Sequence, residues 1–354
     1  MSSEHMNAAP ATEPRPYRYD RGPLRVYWEL TRACDLACRH CRAEAVARRH
    51  QGELDAEEGF RLLVDLASGD PLPHVVLTGG DPFKRPDLFD LVKGARKLGL
   101  PVSVSPSATP LVTQDVIQRL KDAGVEAISL SLDGSTAERH DGIRGVPGTF
   151  ARTITLARTA ASTGLAYQVN TLVAAETLDD LPAIYRLARE SGAARWSLFF
   201  LVQVGRGTVL QAISAQACED LMTWLAGLPR GHPLVTTTEA PHYRRVVFEH
   251  TGHRGGHGAG IRDGNGIMFI SHTGDVYPSG FLPLVAGNIR TRHPLDIYRD
   301  SALFRSLREP DAWGGRCGTC EMRWECGGSR ARAFAATGDP LGPDPLCLQA
   351  VTVG

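Results

Sequence analysis

The sequence predicts an α/β protein: an open, incomplete (β/α)6 barrel followed by a small cysteine-rich C-terminal domain. Three observations predict it. Strand-like and helix-like segments alternate six times between Arg25 and about Gly227, as a parallel sheet with helical crossovers requires. A closed barrel of this kind needs further units, so six leave it open. Beyond that stretch the alternation stops, and four of the eight cysteines crowd between Cys317 and Cys347.

The strand-like runs are Arg25–Thr31, His74–Thr78, Pro101–Ser105, Ala127–Asp133, Tyr167–Val173 and Arg195–Val202. The helices between them have legible ends. Asp55 and Glu58 form a capping-box pattern ahead of the helix carrying Phe60, Leu63 and Leu66. Pro86 suits a helix start and Gly99 its C-terminal stop. Thr113 and Gly124 bracket the next helix, and Gly164 ends another. After Gly227 a short helix is expected over His242–His250, then the Gly- and His-rich stretch Thr251–Gly266. Ile267–Ser271, a turn at Thr273-Gly274-Asp275, and Val276–Tyr277 read as a hairpin. The expected organisation is a disordered tail (1–21), the barrel (22–230), a linker (231–262) and the C-terminal domain (263–354). Chemistry in such barrels gathers at the C-terminal ends of the strands.

Composition narrows the function. A chain of 354 residues with 42% hydrophobic and 22% charged residues is an ordinary soluble composition with room for a sizeable core. Lys plus Arg and Asp plus Glu are 39 each, which gives no electrostatic case for nucleic acid or an anionic membrane. The longest apolar runs, such as Trp196–Val204, are too short to span a bilayer. Met1–Pro16 is polar and lacks the apolar core of a secretory signal, so the cytoplasm is expected. In a reducing compartment clustered cysteines read as metal or catalytic sites rather than disulfides. Cys218 stands alone in the helix-like run Ala217–Leu225 and is expected to be a packed thiol.

The first cluster is CDLACRHC, directly after the first strand: Cys34, Cys38 and Cys41. Three thiolates hold three irons of a [4Fe–4S] cube and leave the fourth iron open to a small chelating ligand. Zinc with His40 as a further ligand, or packed thiols, are the alternatives. His40 lies immediately before Cys41, an awkward position for sharing one tetrahedron.

YWELTRACDLACRHC resembles the start of the radical S-adenosylmethionine (SAM) superfamily, whose signature is C-x3-C-x2-C with an aromatic residue before the last cysteine. His40 fills that aromatic slot. Gly79-Gly80-Asp81-Pro82, after the second strand, resembles the family's G-G-E-P segment, whose backbone contacts the amino group of SAM. Glycine lets backbone approach a ligand closely, so a bulky residue at Gly80 is expected to weaken SAM binding and leave the iron in place. Asp81 in place of Glu departs from the pattern and puts the role of its side chain in doubt. SLDG (131–134 with Leu130 before it) and HDGIRG (140–145) resemble the family's segment after the fourth strand. That resemblance implies Ser131 and Arg144 as contacts for the ribose and carboxylate of SAM, with Ser105 and Asn170 as further candidates.

The second cluster is Cys317-x2-Cys320-x5-Cys326, then Cys347. Four thiols suffice for a whole cluster, while a paired C-x2-C also suits zinc, and the spacing alone leaves both open. The segments GDVYP (274–278), AGNIR (286–290) and CGTCEMRWECGGSRARAFAATGDPLGPDPLC resemble the auxiliary-cluster domain called SPASM or, when shorter, twitch. Ser279 stands where that family often has cysteine. The resemblance therefore implies one fully ligated auxiliary [4Fe–4S] cluster serving as an electron relay or sink. PSGFLPLVAGNIR and CGGSRARAFA are most similar to enzymes of alternative haem and related tetrapyrrole pathways, which remove or oxidise acetate and propionate side chains. Neighbouring branches modify ribosomally made peptides. The implied partners are thus a tetrapyrrole or peptide substrate and an external one-electron donor such as a flavodoxin or ferredoxin.

A non-catalytic metal-binding or sensor protein would explain the cysteines but not the GGDP, SLDG and DGIRG segments in barrel order. No Ser–His–Asp arrangement, Walker loop or paired-carboxylate site stands out, and no protein acid or base is assigned. Arg316, Arg323, Arg330 and Arg332 are able to meet substrate carboxylates, though a solvated face is the expectation for most of them. His253 and His257, in a glycine-rich loop, are further candidates for the substrate cavity.

Overall fold

The computed structural model describes residues 18–229, 231–252 and 259–349. The expected strands appear in order as β1 (Arg25–Glu29), β2 (His74–Thr78), β3 (Val102–Val104), β4 (Ala127–Ser131), β5 (Ala166–Val173) and β6 (Arg195–Phe200). Two more parallel strands extend them. β7 (Leu234–Thr238) pairs with β6, and β8 (Ile267–Ile270) pairs with the opposite edge at β1. β9 (Asp275–Tyr277) and β10 (Gly287–Asn288) follow antiparallel, which gives the order β10-β9-β8-β1-β2-β3-β4-β5-β6-β7.

The helices are α1 (Ala56–Ala67), α2 (Leu88–Lys97), α3 (Gln114–Asp122), α4 (Ala137–Arg144), α5 (Thr149–Thr163), α6 (Leu181–Glu190), α7 (Ala215–Ala226) and α8 (Tyr243–Thr251). Four short ones close the chain: α9 (Pro294–Asp300), α10 (Ala302–Ser306), α11 (Gly315–Thr319) and α12 (Arg330–Thr337). The capping box of α1 is formed: Glu58 N donates to Asp55 Oδ1 at 2.8 Å, and Asp55 N donates to Glu58 Oε2 at 3.0 Å. Thr113 caps α3 through Val116 N.

The stretch 231–262, read as a linker with a short helix, carries that helix as α8 and also the strand β7. LVTTT has no fully buried residue and no alternation of large apolar side chains, so its pairing with β6 leaves little trace in the sequence. Residues 18–21, read as part of the tail, are tied down. Tyr19 N donates to Asn265 Oδ1 at 3.1 Å, Tyr19 Oη to the Ala259 carbonyl at 2.8 Å, and Tyr298 Oη to the Tyr19 carbonyl at 2.7 Å.

The two faces of the sheet differ in chemistry. Val26, Trp28, Val75, Leu77, Val102, Val104, Ile128, Leu130, Trp196 and Leu198 are buried and belong to the main core with the helices. Alternate residues point the other way. There stand Glu29, Thr78, Ser103, Ser105, Ser129, Ser131, Gln168, Asn170 and Ser197. Parallel strands packed on both sides are normally apolar throughout. Here the inner face is polar and suited to polar ligands.

Arg290 ties the C-terminal part to the barrel. Its guanidinium meets Glu58 at 2.6 and 2.9 Å and donates to the carbonyls of Gly52 and Thr273. Hydrogen bonding from Arg290 draws the Glu58 carboxyl down to about 2. A lowered carboxyl pKa stabilises the fold above the ordinary value and is lost as pH falls through the folded one. Arg290→Ala is therefore expected to cost roughly 0.5–1 kcal/mol at neutral pH, as part-exposed pairs do. In chemical denaturation the gap from wild type should narrow as pH drops below the ordinary carboxylate range.

Candidate functional site

The loop after β1 is pinned before any cofactor is considered. Cys34 N donates to the Val46 carbonyl at 2.8 Å, and Ala33 and Val46 form an isolated bridge. Cys34 and Cys38 are buried and Cys41 is partly exposed. Each thiol faces donors. Leu36 N lies 3.4 Å from Cys34 Sγ, Ala45 N 3.4 Å from Cys41 Sγ, and Arg144 Nη1 3.6 Å from Cys38 Sγ. Ser107 Oγ lies 3.5 Å from Cys34 Sγ and donates to the Gly80 carbonyl at 2.7 Å. Donors to sulfur are among the means by which proteins set the properties of iron–sulfur sites. Burial pushes the Cys34 thiol up, so metal binding there must displace a proton.

Two elements brace this loop. From behind, Arg206 donates to the carbonyls of Cys38 (2.9 Å) and Ala45 (3.1 Å), and its backbone N to that of Cys41 (3.1 Å). From the side comes the Gly79-Gly80 turn: Gly80 N donates to the Thr31 carbonyl at 2.8 Å and Asp81 N to the Ala33 carbonyl at 2.7 Å. A Cβ on Gly80 would lie 2.5 Å from the Ala33 oxygen and 2.7 Å from that of Arg32. Gly79 has φ +150°, and its Cβ would lie 2.4 Å from the Thr31 oxygen. The double glycine is thus demanded by the cysteine loop itself. This revises the expectation that a bulky residue at Gly80 spares the iron.

Asp81 is fully buried, and its carboxylate accepts from Phe83 N (3.1 Å) and Thr109 Oγ1 (2.7 Å). That fixes the short turn opened by Pro82. Ser131 and Asn170 stand opposite each other in the β4–β5 register, with Gln168 Nε2 donating to Asn170 Oδ1 at 2.6 Å. Ser105, just past β3, is on the same inner face.

Arg144 pairs with Asp133 at 2.5 Å and touches Cys38, so its guanidinium supports the cysteine loop. Asp133 is buried and also accepts from Leu172 N at 2.7 Å. The His40 ring is turned inward, its Nδ1 buried without a hydrogen-bond partner. Burial, reinforced by Arg144 and Arg206, lowers its pKa to about 4, with Asp133 opposing.

Sequence reasoning misses Ser107, Asp133 and Arg206, and also a charged group where β1 meets β8. Arg42 pairs with Glu29 at 3.0 Å and lies 4.3 Å from the Phe269 ring centroid, and Glu29 holds His272 Nδ1 at 2.8 Å. Burial raises the Glu29 carboxyl, but Arg42 and His272 together bring it below its ordinary value. Arg42, next to Cys41, was adjacent to a motif without belonging to it.

The second set of thiols is assembled by the end of the chain. Cys317 and Cys326 are buried, and Cys320 and Cys347 are partly so. Asp344 N and Arg330 Nη2 each lie 3.5 Å from Cys317 Sγ. Met322 N is 3.4 Å from Cys320 Sγ, and Gly328 N 3.4 Å from Cys326 Sγ. Burial first, with Cys347 and Cys317 adding to it, pushes Cys326 up to about 12. Among the described residues no three His, Cys, Asp or Glu side chains converge on a single-ion site.

Arginines surround these thiols, and the expected solvated face does not describe the inner ones. Arg330 is 0% and Arg332 5% exposed. Arg330 donates to the carbonyls of Gly342 and Pro340, and Arg332 to that of Glu239. Arg316 bonds the Asp344 carbonyl, and Arg323 pairs with Asp311 at the surface. Arg262 is buried as well, and burial with the repulsion of Arg330 and Arg244 pulls its pKa down to about 9. Cys218 is a buried thiol 3.3 Å from His242 Nε2. His253 and His257 lie outside the described residues.

A parallel α/β barrel with three thiols on its first loop, braced by a double glycine from the second, defines the class of enzyme that cleaves SAM by one-electron chemistry. Comparison with known proteins agrees: residues 28–188 match the Radical SAM superfamily. The chain is 39% identical to the AdoMet-dependent heme synthase of Oleidesulfovibrio alaskensis, covering 91% of this chain and 86% of that one. It is 36% identical to the AdoMet-dependent heme synthase of Methanosarcina barkeri (92% and 96% covered). The mycofactocin maturase MftC of Mycobacterium tuberculosis is 31% identical (94% and 85% covered). In fold it is similar to Streptococcus suis SuiB bound to S-adenosylmethionine, with a TM-score of 0.73 at 17% identity over 93% of this chain and 78% of that one. It is similar also to anSMEcpe with bound AdoMet, with a TM-score of 0.70 at 16% identity over 92% and 94%. This chain belongs to the radical SAM superfamily, and membership implies a [4Fe–4S] cluster and SAM. No helix among the described residues is long and apolar enough to cross a membrane.

Proposed function

We propose that this enzyme modifies carboxylate-bearing side chains of a tetrapyrrole, as in haem biosynthesis. The observation that carries the reading is its similarity, over 91–92% of its length, to AdoMet-dependent heme synthases. A pre-heme d1 synthase and an Fe-coproporphyrin III synthase are further relatives, at 29% and 30% identity.

In this reading Cys34, Cys38 and Cys41 hold the SAM cluster. The donors that face them and the buried Arg144 Nε, which lacks a partner, fit an anionic group there. When bound, cluster and SAM supply a 5′-deoxyadenosyl radical that takes a hydrogen atom from the substrate. The chain's own groups position the reactants. Backbone of Gly79 to Pro82 receives the amino end of SAM, and Ser105, Ser131 and Asn170 offer hydrogen bonds to its polar parts. Ser107 and Arg206 hold the cysteine loop in register with that cradle. Cys317, Cys320, Cys326 and Cys347 hold an auxiliary cluster, whose fit rests on the buried arginines that face these thiols. A flavodoxin or ferredoxin supplies the electron for SAM cleavage.

Peptide modification is the second reading, because MftC, a maturase, is also related along most of the chain. One titration separates the two. The anaerobic, reconstituted enzyme is expected to shift the Soret band of a haem-like carboxylate and to make 5′-deoxyadenosine in proportion to it. A tetrapyrrole that neither binds nor raises turnover above the uncoupled rate transfers the assignment to a peptide.

A further inference from the structure

The two sets of thiols are not balanced electrically in the same way. At the first, the guanidinium that touches a sulfur, Arg144, is matched by Asp133 at 2.5 Å. Arg206 meets that loop only through carbonyls and is partly exposed, and Arg42 is matched by Glu29. At the second set, Arg330 reaches Cys317 Sγ at 3.5 Å and makes no ion pair with a carboxylate among the described residues. Arg262, 4% exposed, is likewise without an ion pair among the described residues, and among them its Nε and Nη2 have no hydrogen-bond partner. Arg332 differs, since it lies 3.7 Å from Asp344.

The placement of these two side chains is built into the backbone. Cys326 is followed by Gly327 and Gly328, at φ +70° and +63°. A Cβ on Gly327 would lie 2.8 Å from Arg262 Nε, and one on Gly328 2.7 Å from Arg330 Nη2. Each glycine thereby admits one guanidinium beside a cysteine. Trp313 lies against both, its ring centroid 4.5 Å from Arg330 Cζ and 5.0 Å from Arg262 Cζ. Cation–π attraction offsets part of the cost of burying the two cations. The carboxylates nearby are engaged elsewhere: Asp263 accepts from Arg330 N and Ala331 N, and Asp344 from Ser329 N and Leu346 N. Glu239 bonds Ser329 Oγ.

We infer that Arg262 and Arg330 raise the reduction potential of the cluster held by Cys317, Cys320, Cys326 and Cys347, setting that site to take up an electron. Reduction adds one negative charge to the cluster. A buried cation without a carboxylate partner stabilises that added charge, whereas one already paired does so far less. The inference rests on the reading that these four thiols hold iron, and it goes beyond it by assigning the residues that set the potential.

The test is an EPR-monitored redox titration of the reconstituted full-length enzyme. Arg262→Gln is expected to lower the reduced-to-oxidised ratio of the C-terminal cluster about tenfold at fixed potential, or about 59 mV for one electron. The N-terminal cluster should not move, and total iron should stay at about eight atoms. Arg262→Lys, which keeps the charge, should remain near wild type, and Arg330→Lys serves as a second charge-retaining variant. An unmoved midpoint in Arg262→Gln with full iron overturns the inference and leaves the cluster reading standing. A shift in Arg262→Lys as large as that in Arg262→Gln also overturns it, because charge is then not the cause. Wild-type enzyme with only about four irons and one cluster signal overturns the cluster reading and the inference with it.

Discussion

Replacing Cys34, Cys38 and Cys41 together by alanine is expected to halve the iron of the reconstituted enzyme, from about eight to about four atoms per chain. Formation of 5′-deoxyadenosine under dithionite should fall to background. The effect is large because, among the described residues, the neighbouring His40 and Asp81 are turned to other partners. His40, adjacent in sequence, turns its ring toward Asp133, Arg144 and Arg206. Asp81 spends its carboxylate on Phe83 N and Thr109. The remaining iron should sit at the C-terminal thiols, which are built on separate elements, α11 and the segments flanking α12. Iron assay, together with EPR of the dithionite-reduced protein, reads both halves of the expectation. SAM cleavage that survives the triple substitution removes the cluster from Cys34, Cys38 and Cys41. Zinc in place of iron in the anaerobically purified triple variant removes it from the C-terminal set.

Most of the barrel is legible because its outward-facing residues obey a period of two and its helices carry local punctuation. Trp28, Leu77, Leu130 and Leu198 announce strands, and Asp55, Thr113 and Gly164 announce helix ends. β7 escapes because a strand at the rim buries little, so LVTTT has no reason to alternate. The tie between Tyr19 and residues 259–298 escapes for another reason: it is a set of contacts more than two hundred residues apart, and no local pattern encodes it. The site divides in the same manner. Cysteine spacing and the double glycine are local and stand out. Asp133, Ser107 and Arg206 act on the cysteine loop from other strands' ends, and only the fold brings them there. Arg330 and Arg332 illustrate the opposite error. A run of arginines reads as a wet surface until the structure shows carbonyls, a tryptophan ring and thiols around them.

Gly80→Val is expected to remove the iron of the SAM site, leaving about four atoms per chain at the C-terminal thiols. If Gly80 served only to let SAM approach, the iron would stay and SAM affinity alone would fall. The geometry favours the first outcome. A Cβ at this position meets the carbonyl oxygens of Ala33 and Arg32 at 2.5 and 2.7 Å, and these are backbone atoms with no rotamer to yield. Ala33 precedes Cys34, and its carbonyl already receives Asp81 N at 2.7 Å. Relief of the clash must therefore push the cysteine loop away or break that bond. Overpacking of this kind costs about 1–3 kcal/mol or more where the surroundings are rigid. Here it falls on the segment that sets the spacing of the three thiols. Gly142→Ala is the fitting control, since a Cβ there meets nothing within 4 Å. Circular dichroism and the EPR signal of the C-terminal cluster show whether the variant is folded. A folded Gly80→Val enzyme that keeps about eight irons and loses only SAM binding would return the double glycine to the role of a ligand cradle alone.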